Sequence, residues 1–472
     1  MLPAPAILAV LFSAATAATA GGQTEPLGLR VPLWSVAPFI TMLLAIAVLP
    51  LLVPRWWHSN LHRGYVAFLL GAPMATWMWI MDYHEVLQIL HEYLAFIILL
   101  GSLFVISGGI VVRGTLAGTP GVNTVLLAIG GVLASFIGTT GAAMLLIRPL
   151  LRANEHRNRK THVVVFFIFL VANIGGLLTP LGDPPLFLGF LRGVPFLWTF
   201  NLVPQWAAML VVLLVIFYVV DSTIFRKEDI ARPENLDTTS VEHKQPIRIQ
   251  GKVNFIFLGG IVLTILVCGY THPPVGVQEF GMLLMAALSL IVTERKLRKD
   301  NSFSWEPIVE VAVVFAGIFA TMIPALAILN ARGAELGLTE PWQFFWATGL
   351  LSSFLDNAPT YLTFTATASG LVGTDANHLQ QLLYCIPTDA CSPTCASCGA
   401  DFANETGTAL LRAISLGAVF MGANTYIGNG PNFMVKAVAE QAGVKMPSFF
   451  GFMVYSVVIL FPLFAIVTFV FL

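Results

Sequence analysis

Two stretches of the chain place small polar residues inside long apolar runs. "SFIGTTGAAM" begins at Ser135, and "SFLDNAPTYL" begins at Ser353 and carries Asp356 and Asn357. A carboxylate in such a place can hold a cation when it is charged, or a proton when burial favours its neutral form. The oxygens of Ser, Thr and Asn suit a hard cation such as sodium. These residues therefore predict the exchange of cations and protons.

A second kind of signal is a helix that cannot continue. "NIGGLLTPLGDPP", from Asn173, contains Asp183 and too many glycines and prolines for an unbroken helix, and "GANTYIGNGPN", from Gly422, has the same character. Backbone groups left unpaired at such a break need a partner, and an ion can be that partner. Acids inside apolar segments are functional candidates by default, although Asp183 before two prolines can also be a turn residue or cap.

The predicted cation- or substrate-binding residues are the polar side chains of both tips and both breaks: Ser135, Thr139, Thr140, Asn173, Thr179, Asp183, Ser353, Asp356, Asn357, Thr360, Asn424, Thr425 and Asn429. We predict one sodium site at Asp356, Asn357 and Asn424. A second is predicted at Thr139, Thr140, Asn173 and Asp183. Glu92 and Glu310 also lie in apolar windows, where they are either functional or end-of-helix charges.

The elements that position these residues must be membrane helices. The 472 residues are 57% hydrophobic and only 10% charged, with a mean hydropathy of +0.82, whereas soluble domains carry about 25% charged residues. Backbone within the hydrocarbon core must be helical. The sequence thus predicts an all-α polytopic membrane protein with about ten crossings, at about 33–53, 65–81, 88–112, 163–192, 204–220, 253–270, 279–293, 307–330, 407–435 and 447–472.

The distribution of positive charge predicts two re-entrant hairpins. If the apolar runs 122–147 and 343–370 each leave and re-enter on one side, 20 of the 24 Lys and Arg residues fall inside. The first hairpin then opens inward and the second outward. Residues 1–20 resemble a cleaved signal peptide, with a marginal first helix as the alternative, so both chain ends are expected to be external.

The same topology predicts two repeats of opposite orientation. Repeat 1 covers 31–225 with the broken helix 163–192, a cytoplasmic linker covers 226–252, and repeat 2 covers 253–472 with the broken helix 407–435. An offset of 218 residues aligns Ser135 with Ser353 and Glu92 with Glu310. Inverted repeats with broken helices are typical of secondary transporters, whose substrates bind between the repeats.

Residues 371–405 form a predicted external insertion in the second repeat. It carries four cysteines, called here the insertion cysteines: Cys385, Cys391, Cys395 and Cys398. Outside the cytoplasm these are expected to form disulfides rather than to bind a metal cluster. The fifth cysteine, Cys268, is expected in the core.

Three segments carry a family resemblance: "SFIGTTGAAMLLIRPLLRAN", "VANIGGLLTPLGDPPLFLGF" and "SSFLDNAPTYL". They resemble the ion-transporter superfamily, and within it the NhaD-type sodium/proton antiporters and related citrate (CitMHS-like) transporters. The resemblance implies a homodimer in which a mobile domain carries both hairpins past a scaffold. Resemblance to the NhaD-type proteins implies an Asp-Asn pair in both hairpins, and here the sequence departs from that pattern. Gly138 and Thr139 occupy the place that matches Asp356 and Asn357, so the first tip is neutral, as in the carboxylate-transporting branch.

The favoured function is a sodium/proton antiporter in a bacterial inner membrane, with a small cation, a proton and membrane lipid as partners. Two buried aspartates disfavour an anionic substrate, and both tips lack Lys and Arg. A sodium-coupled citrate or dicarboxylate transporter is the alternative, because helix N-termini at the hairpins could bind carboxylates. We expect neither an enzyme nor a nucleic-acid-binding protein, and no cofactor.

Overall fold

The computed structural model describes residues 26–114, 117–230, 248–271, 273–301, 303–384 and 404–472. The predicted signal peptide and the insertion cysteines lie outside these ranges. Within them, ten helical segments are long and apolar enough to cross a membrane. The prediction of an integral, polytopic, helical membrane protein with about ten spans is confirmed.

The helices of the first half are α1 (Leu27–Arg30), α2 (Ala37–Leu52), α3 (Pro54–Trp57), α4 (Asn60–Met81), α5 (Tyr83–Ser107), α6 (Pro120–Ile137), α7 (Thr139–Ala153), α8 (Thr161–Leu170), α9 (Pro184–Leu191) and α10 (Val203–Ile230). Short 3-10 turns cover Leu33–Val36, Ile174–Leu178 and Phe196–Leu202. Pro184 and Pro185 start α9 because a proline lacks the N–H that the first helical turn leaves unpaired.

The helices of the second half are α11 (Val253–Thr271), α12 (Val277–Val292), α13 (Arg295–Asp300), α14 (Glu306–Arg332), α15 (Pro341–Ser352), α16 (Asn357–Val372), α17 (Gln380–Leu383), α18 (Glu405–Met421), α19 (Gly430–Gln441) and α20 (Phe449–Phe471). Further 3-10 turns cover Gly333–Leu336 and Gly422–Asn424. Each predicted break therefore separates two helices, α8 from α9 and α18 from α19.

The apolar run 122–147 is two helices rather than one. Helices α6 and α7 meet at Gly138, whose φ of +80° favours glycine, and they pack against each other. Of the two, α6 is long and apolar enough to span, whereas the predicted crossing at 279–293 corresponds to α12, whose 16 residues leave it outside the ten candidate spans. The re-entrant insertion of the two hairpins stays a prediction.

One small sheet departs from the all-α prediction. Strand β1 (Val111–Arg113) pairs antiparallel with β2 (Arg248–Gln250). Both strands lie between the candidate spans, where water can form hydrogen bonds with the outer edges of a sheet. The requirement that backbone within the hydrocarbon core be helical therefore does not apply to them. Helix α10 also continues to Ile230, so the start of the 226–252 segment is helical.

Packing divides most helices into two groups. The scaffold group comprises α2, α4, α5, α11, α12 and α14, and the hairpin group comprises α6 to α10, α15, α16 and α18 to α20. Small residues let α4 and α14 approach closely, since a Cβ on Gly317 would lie 2.8 Å from that of Ala67. The groups meet where α14 packs on α16 and where α5 packs on α7 and α9.

Candidate functional site

Both hairpin tips and both breaks converge within the hairpin group. Helices α7, α9, α16 and α19 begin there, and α6, α8, α15 and α18 end there. The starting helices present the positive ends of their dipoles, while the ending helices present carbonyl groups. The region can therefore stabilise a carboxylate and also bind a cation.

Asp183 lies at the centre of this region. Its Oδ1 accepts hydrogen bonds from Thr139 Oγ1 at 3.2 Å and Asn429 Nδ2 at 3.1 Å, and its Oδ2 accepts one from Asn357 Nδ2. The aspartate is only 1% exposed. Its donors come from the first tip, the second break and the second tip, and all three are neutral. One carboxylate thus joins both predicted repeats.

A network of asparagines lies behind Asp183. Asn429 Nδ2 also faces the carbonyl of Ala172 at 3.1 Å and Asn173 Oδ1 at 3.3 Å. Asn173 Nδ2 donates to Asn432 Oδ1 at 2.7 Å, and Asn432 Nδ2 donates to the carbonyls of Gly422 and Thr425, each at 2.9 Å. The sequence analysis missed Asn432, although "NGPN" places it three residues after Asn429 at the start of α19.

The two halves make matching hydrogen bonds at the tips. Thr179 Oγ1 donates to the carbonyl of Ser135, and Thr425 Oγ1 donates to the carbonyl of Ser353. The same threonine oxygens accept from the amides of Leu181 and Ile427, each at 3.2 Å. In each half, the hydroxyl of a threonine in the break therefore binds the backbone of the serine in the hairpin, a contact that we call the threonine clamp. The corresponding Asp183 and Asn429 stand at the N-cap positions of α9 and α19, where neither side chain makes a capping hydrogen bond.

Two amide oxygens near the tips are buried without a partner. Asn357 Oδ1 and Asn424 Oδ1 accept no hydrogen bond from the part of the chain that the structure describes. Their nitrogens are used, because Asn357 Nδ2 donates to Asp183 and Asn424 Nδ2 donates to Ser353 Oγ at 2.8 Å. An unpartnered buried oxygen is costly unless a ligand supplies its partner.

Asp356 has a more modest environment than Asp183. It is half-buried at the start of α16, and its Oδ1 accepts from the Ala358 amide at 3.1 Å, as expected of a helix cap. Thr360 Oγ1 donates to the Asp356 carbonyl at 2.9 Å. Thr140 is half-buried in the first turn of α7. The structure thus joins two residues that the sequence places in different predicted sodium sites, Asn357 in one and Asp183 in the other.

The two glutamates in apolar windows both form ion pairs. Glu92 is buried and bonds Arg192 at 2.9 to 3.1 Å, and Glu310 bonds Arg63 at 2.8 Å. Glu92 is therefore not a solvated end-of-helix charge. Cys268 is buried, as predicted.

A buried polar cluster at the other end of the hairpin group was not predicted. Asp221 forms an ion pair with Arg157 at 2.6 Å, accepts a hydrogen bond from Asn123 at 3.0 Å, and contacts His162 Nε2 at 2.8 Å. The sequence analysis ended the fifth crossing at 220, so it left Asp221 in a loop. The continuation of α10 to Ile230 makes it an interior residue.

Comparison with known proteins points to transport. A family model described as "Putative citrate transport" matches residues 28–472. Proteins named "uncharacterized transporter" from Mycobacterium bovis and Mycobacterium tuberculosis are each 26% identical over 351 residues, covering 71% of this chain and 73% of theirs. A Mycobacterium leprae protein named "46 kDa membrane protein" is 26% identical over 299 residues, covering 60% of each chain.

Proposed function

The chain belongs to the family described as "Putative citrate transport", and within that family of membrane transporters we propose that it is a secondary active transporter that exchanges sodium for protons. Asp183 is the proposed carrier. Sodium binds its charged carboxylate, and a proton neutralises the same carboxylate when sodium leaves. The two ions exclude each other because they use one charge.

The observation that carries this proposal is the set of neutral donors around a buried carboxylate. Thr139, Asn357 and Asn429 hold Asp183 from three elements. A buried charge without a charged partner is expensive, so a mobile cation or proton is the natural counter-charge. Rotation of the Asn357 amide would turn its unpartnered Oδ1 toward the carboxylate and supply a second oxygen ligand.

Asp356, which precedes α16 in the second hairpin tip, is the proposed second acidic ligand. Its half-burial and its capping bond to Ala358 leave one carboxylate oxygen for a cation. Asn424 Oδ1, near the same hairpin serine, is a further oxygen ligand in the proposal. We assign the larger contribution to Asp183 because it contacts both hairpins and the second break.

A sodium-coupled citrate or dicarboxylate transporter is the second candidate. Two features favour it: the description of the family, and the four helices that begin at the site with positive dipole ends. Sodium at Asp183 would then neutralise the site before a carboxylate enters. The absence of charge at Gly138, the position that matches Asp356 in the first hairpin, leaves that tip without a repelling acid.

Transport by the purified protein in liposomes separates the two candidates. With an imposed pH gradient, sodium, lithium, potassium and citrate are added in turn while the internal pH is followed. We expect sodium to drive proton movement without citrate. A proton signal that appears only when sodium and citrate are present together would refute antiport and favour the carboxylate transporter.

A further inference from the structure

The ion pair between Glu92 and Arg192 crosses the boundary between the two helix groups. Glu92 belongs to α5 in the scaffold group, and Arg192 caps the end of α9 in the hairpin group. The guanidinium bonds both carboxylate oxygens, through Nε at 3.1 Å to each and through Nη2 at 2.9 Å to Oε2. Both side chains are at least 95% buried. A fork-to-fork pair of this kind is among the strongest polar contacts in proteins.

Helix α9 connects this pair directly to the candidate site. Asp183 stands at its N-cap position and Arg192 at its C-cap position, so about 13 Å of rigid helix separates them at 1.5 Å per residue. Helix α9 also packs on α16, where Gly189 leaves room for the Tyr361 hydroxyl. A shift of α9 therefore moves Asp183 and its partner Asn357 together.

Arg192 also fastens the segment that follows the second hairpin. Its Nη1 donates to the Ala376 carbonyl at 3.3 Å, and its own carbonyl accepts from the Leu379 amide at 2.8 Å. Beside it, Asn377 Nδ2 donates to Glu85 at 3.2 Å, which is a second contact to α5, from the segment that follows α16. A cavity of about 200 Å³ is lined by Glu85, Arg192 and Asn377, so these bonds lie beside open space.

The matching glutamate of the other half makes a different contact. Glu310, 218 residues after Glu92, pairs with Arg63 on α4, so its ion pair lies within the scaffold group. The residue that matches Arg192 is the uncharged Val438, 246 residues later, by the same offset that relates Thr179 to Thr425. Glu310 and Val438 therefore form no counterpart of the Glu92–Arg192 ion pair between the groups.

We propose that the Glu92–Arg192 pair, with the Glu85–Asn377 bond beside it, is a latch that holds the hairpin group against α5 and must open before Asp183 can exchange its ion. The latch rests on the proposed function for its role in transport. Because Asp183 is almost completely enclosed, release of an ion requires a movement of the surrounding helices, and α9 transmits that movement to the latch.

Hydrogen exchange measures the latch without reference to any transported ion. In full-length protein in lipid nanodiscs, Glu92→Gln keeps the size of the side chain but leaves Arg192 without its counter-charge. We expect exchange of the Leu379 amide to quicken by at least about tenfold, because that amide is protected by its bond to Arg192. Glu310→Gln is the matched control, and exchange at Leu379 should remain within about twofold of wild type.

A kinetic measurement separates a latch from a purely structural pair. Release of bound radioactive sodium should quicken by at least about tenfold in Glu92→Gln, while the equilibrium Kd changes by less than about threefold, because opening affects entry and release alike. Arg192→Lys retains the charge but loses the fork, so it should be intermediate, and it serves as the test if Glu92→Gln does not fold.

Two outcomes decide the proposal. Exchange at Leu379 in Glu92→Gln that equals that of Glu310→Gln would overturn the latch. A changed Kd with unchanged release would also overturn it, since the pair would then act on the site itself. If wild-type protein binds no sodium, the proposed function fails, yet the comparison of hydrogen exchange still tests the latch.

Discussion

Replacing Asp183 with asparagine tests the assignment of the ion carrier. The substitution keeps the shape of the side chain and removes its charge. A carboxylate and a monovalent cation about 4 Å apart attract each other by about 4 kcal/mol at an effective dielectric constant of about 20. At 1.4 kcal/mol for each factor of ten, Asp183→Asn should weaken sodium binding about a thousandfold.

The folded protein should survive this substitution. The new amide nitrogen must face either Asn357 Nδ2 or the pair of donors Thr139 and Asn429, and this mismatch costs about 1–3 kcal/mol. Removal of a buried charge that has no charged partner among the described residues offsets part of that cost. A large loss of binding with a small loss of stability is the expected signature.

Sodium-dependent thermal stabilisation is a suitable assay. A ligand at 100 times its Kd stabilises the native state by about 2.7 kcal/mol, so Tm of the wild type should rise with sodium while that of Asp183→Asn should not. Asp356→Asn should lose less, since asparagine also caps helices well. Asp300→Asn, at the end of α13 and outside the candidate site, is the surface control. Undiminished sodium stabilisation of Asp183→Asn would refute the assignment.

The remaining predictions concern proton competition, the threonine clamp and topology. If one proton displaces one sodium ion at Asp183, the apparent sodium affinity should fall about tenfold for each pH unit below the pKa of the carboxylate, as followed by equilibrium binding between pH 5 and 9; a flat profile would contradict competition. Thr179→Val and Thr425→Val should each lower the free energy of unfolding by about 1–3 kcal/mol in denaturation experiments, because each leaves a buried carbonyl unpaired; unequal effects would argue against equivalent clamps. Cysteines introduced at Asn158 and Asn377 should be labelled from opposite sides of the membrane, and labelling from one side would exclude the inverted topology. Mass spectrometry should find the insertion cysteines oxidised, whereas four free thiols would place them in a reducing compartment.

Features that depend on local pattern were predictable from the sequence. Apolar length located the spans, and glycines and prolines located the breaks at Asp183 and Asn429. The 218-residue offset brought together Ser135 and Ser353, and the structure gives both the same bond to a threonine. Each of these signals is either contained in one segment or recurs at a constant spacing along the chain. Each can therefore be recognised in the sequence without knowledge of which segments are in contact.

Contacts between segments were not predictable in this way. The bond from Asn357 to Asp183 joins residues 174 positions apart, and no periodicity encodes which tip residue faces which break. The sequence consequently assigns Asn357 and Asp183 to different predicted sodium sites and gives Glu92 no partner. Asp221 was missed because a charged residue at the end of an apolar run looks the same whether the helix ends there or continues.

Simultaneous measurement of sodium and proton movement in the same liposomes tests the central claim most directly. Liposomes that contain the purified protein are loaded with radioactive sodium in citrate-free buffer. An inward proton gradient is then imposed, and the internal pH and the release of sodium are both recorded. The account predicts that sodium leaves as protons enter, and that Asp183→Asn abolishes both. Sodium and protons moving in the same direction, or sodium release that is indifferent to the pH gradient, would contradict it.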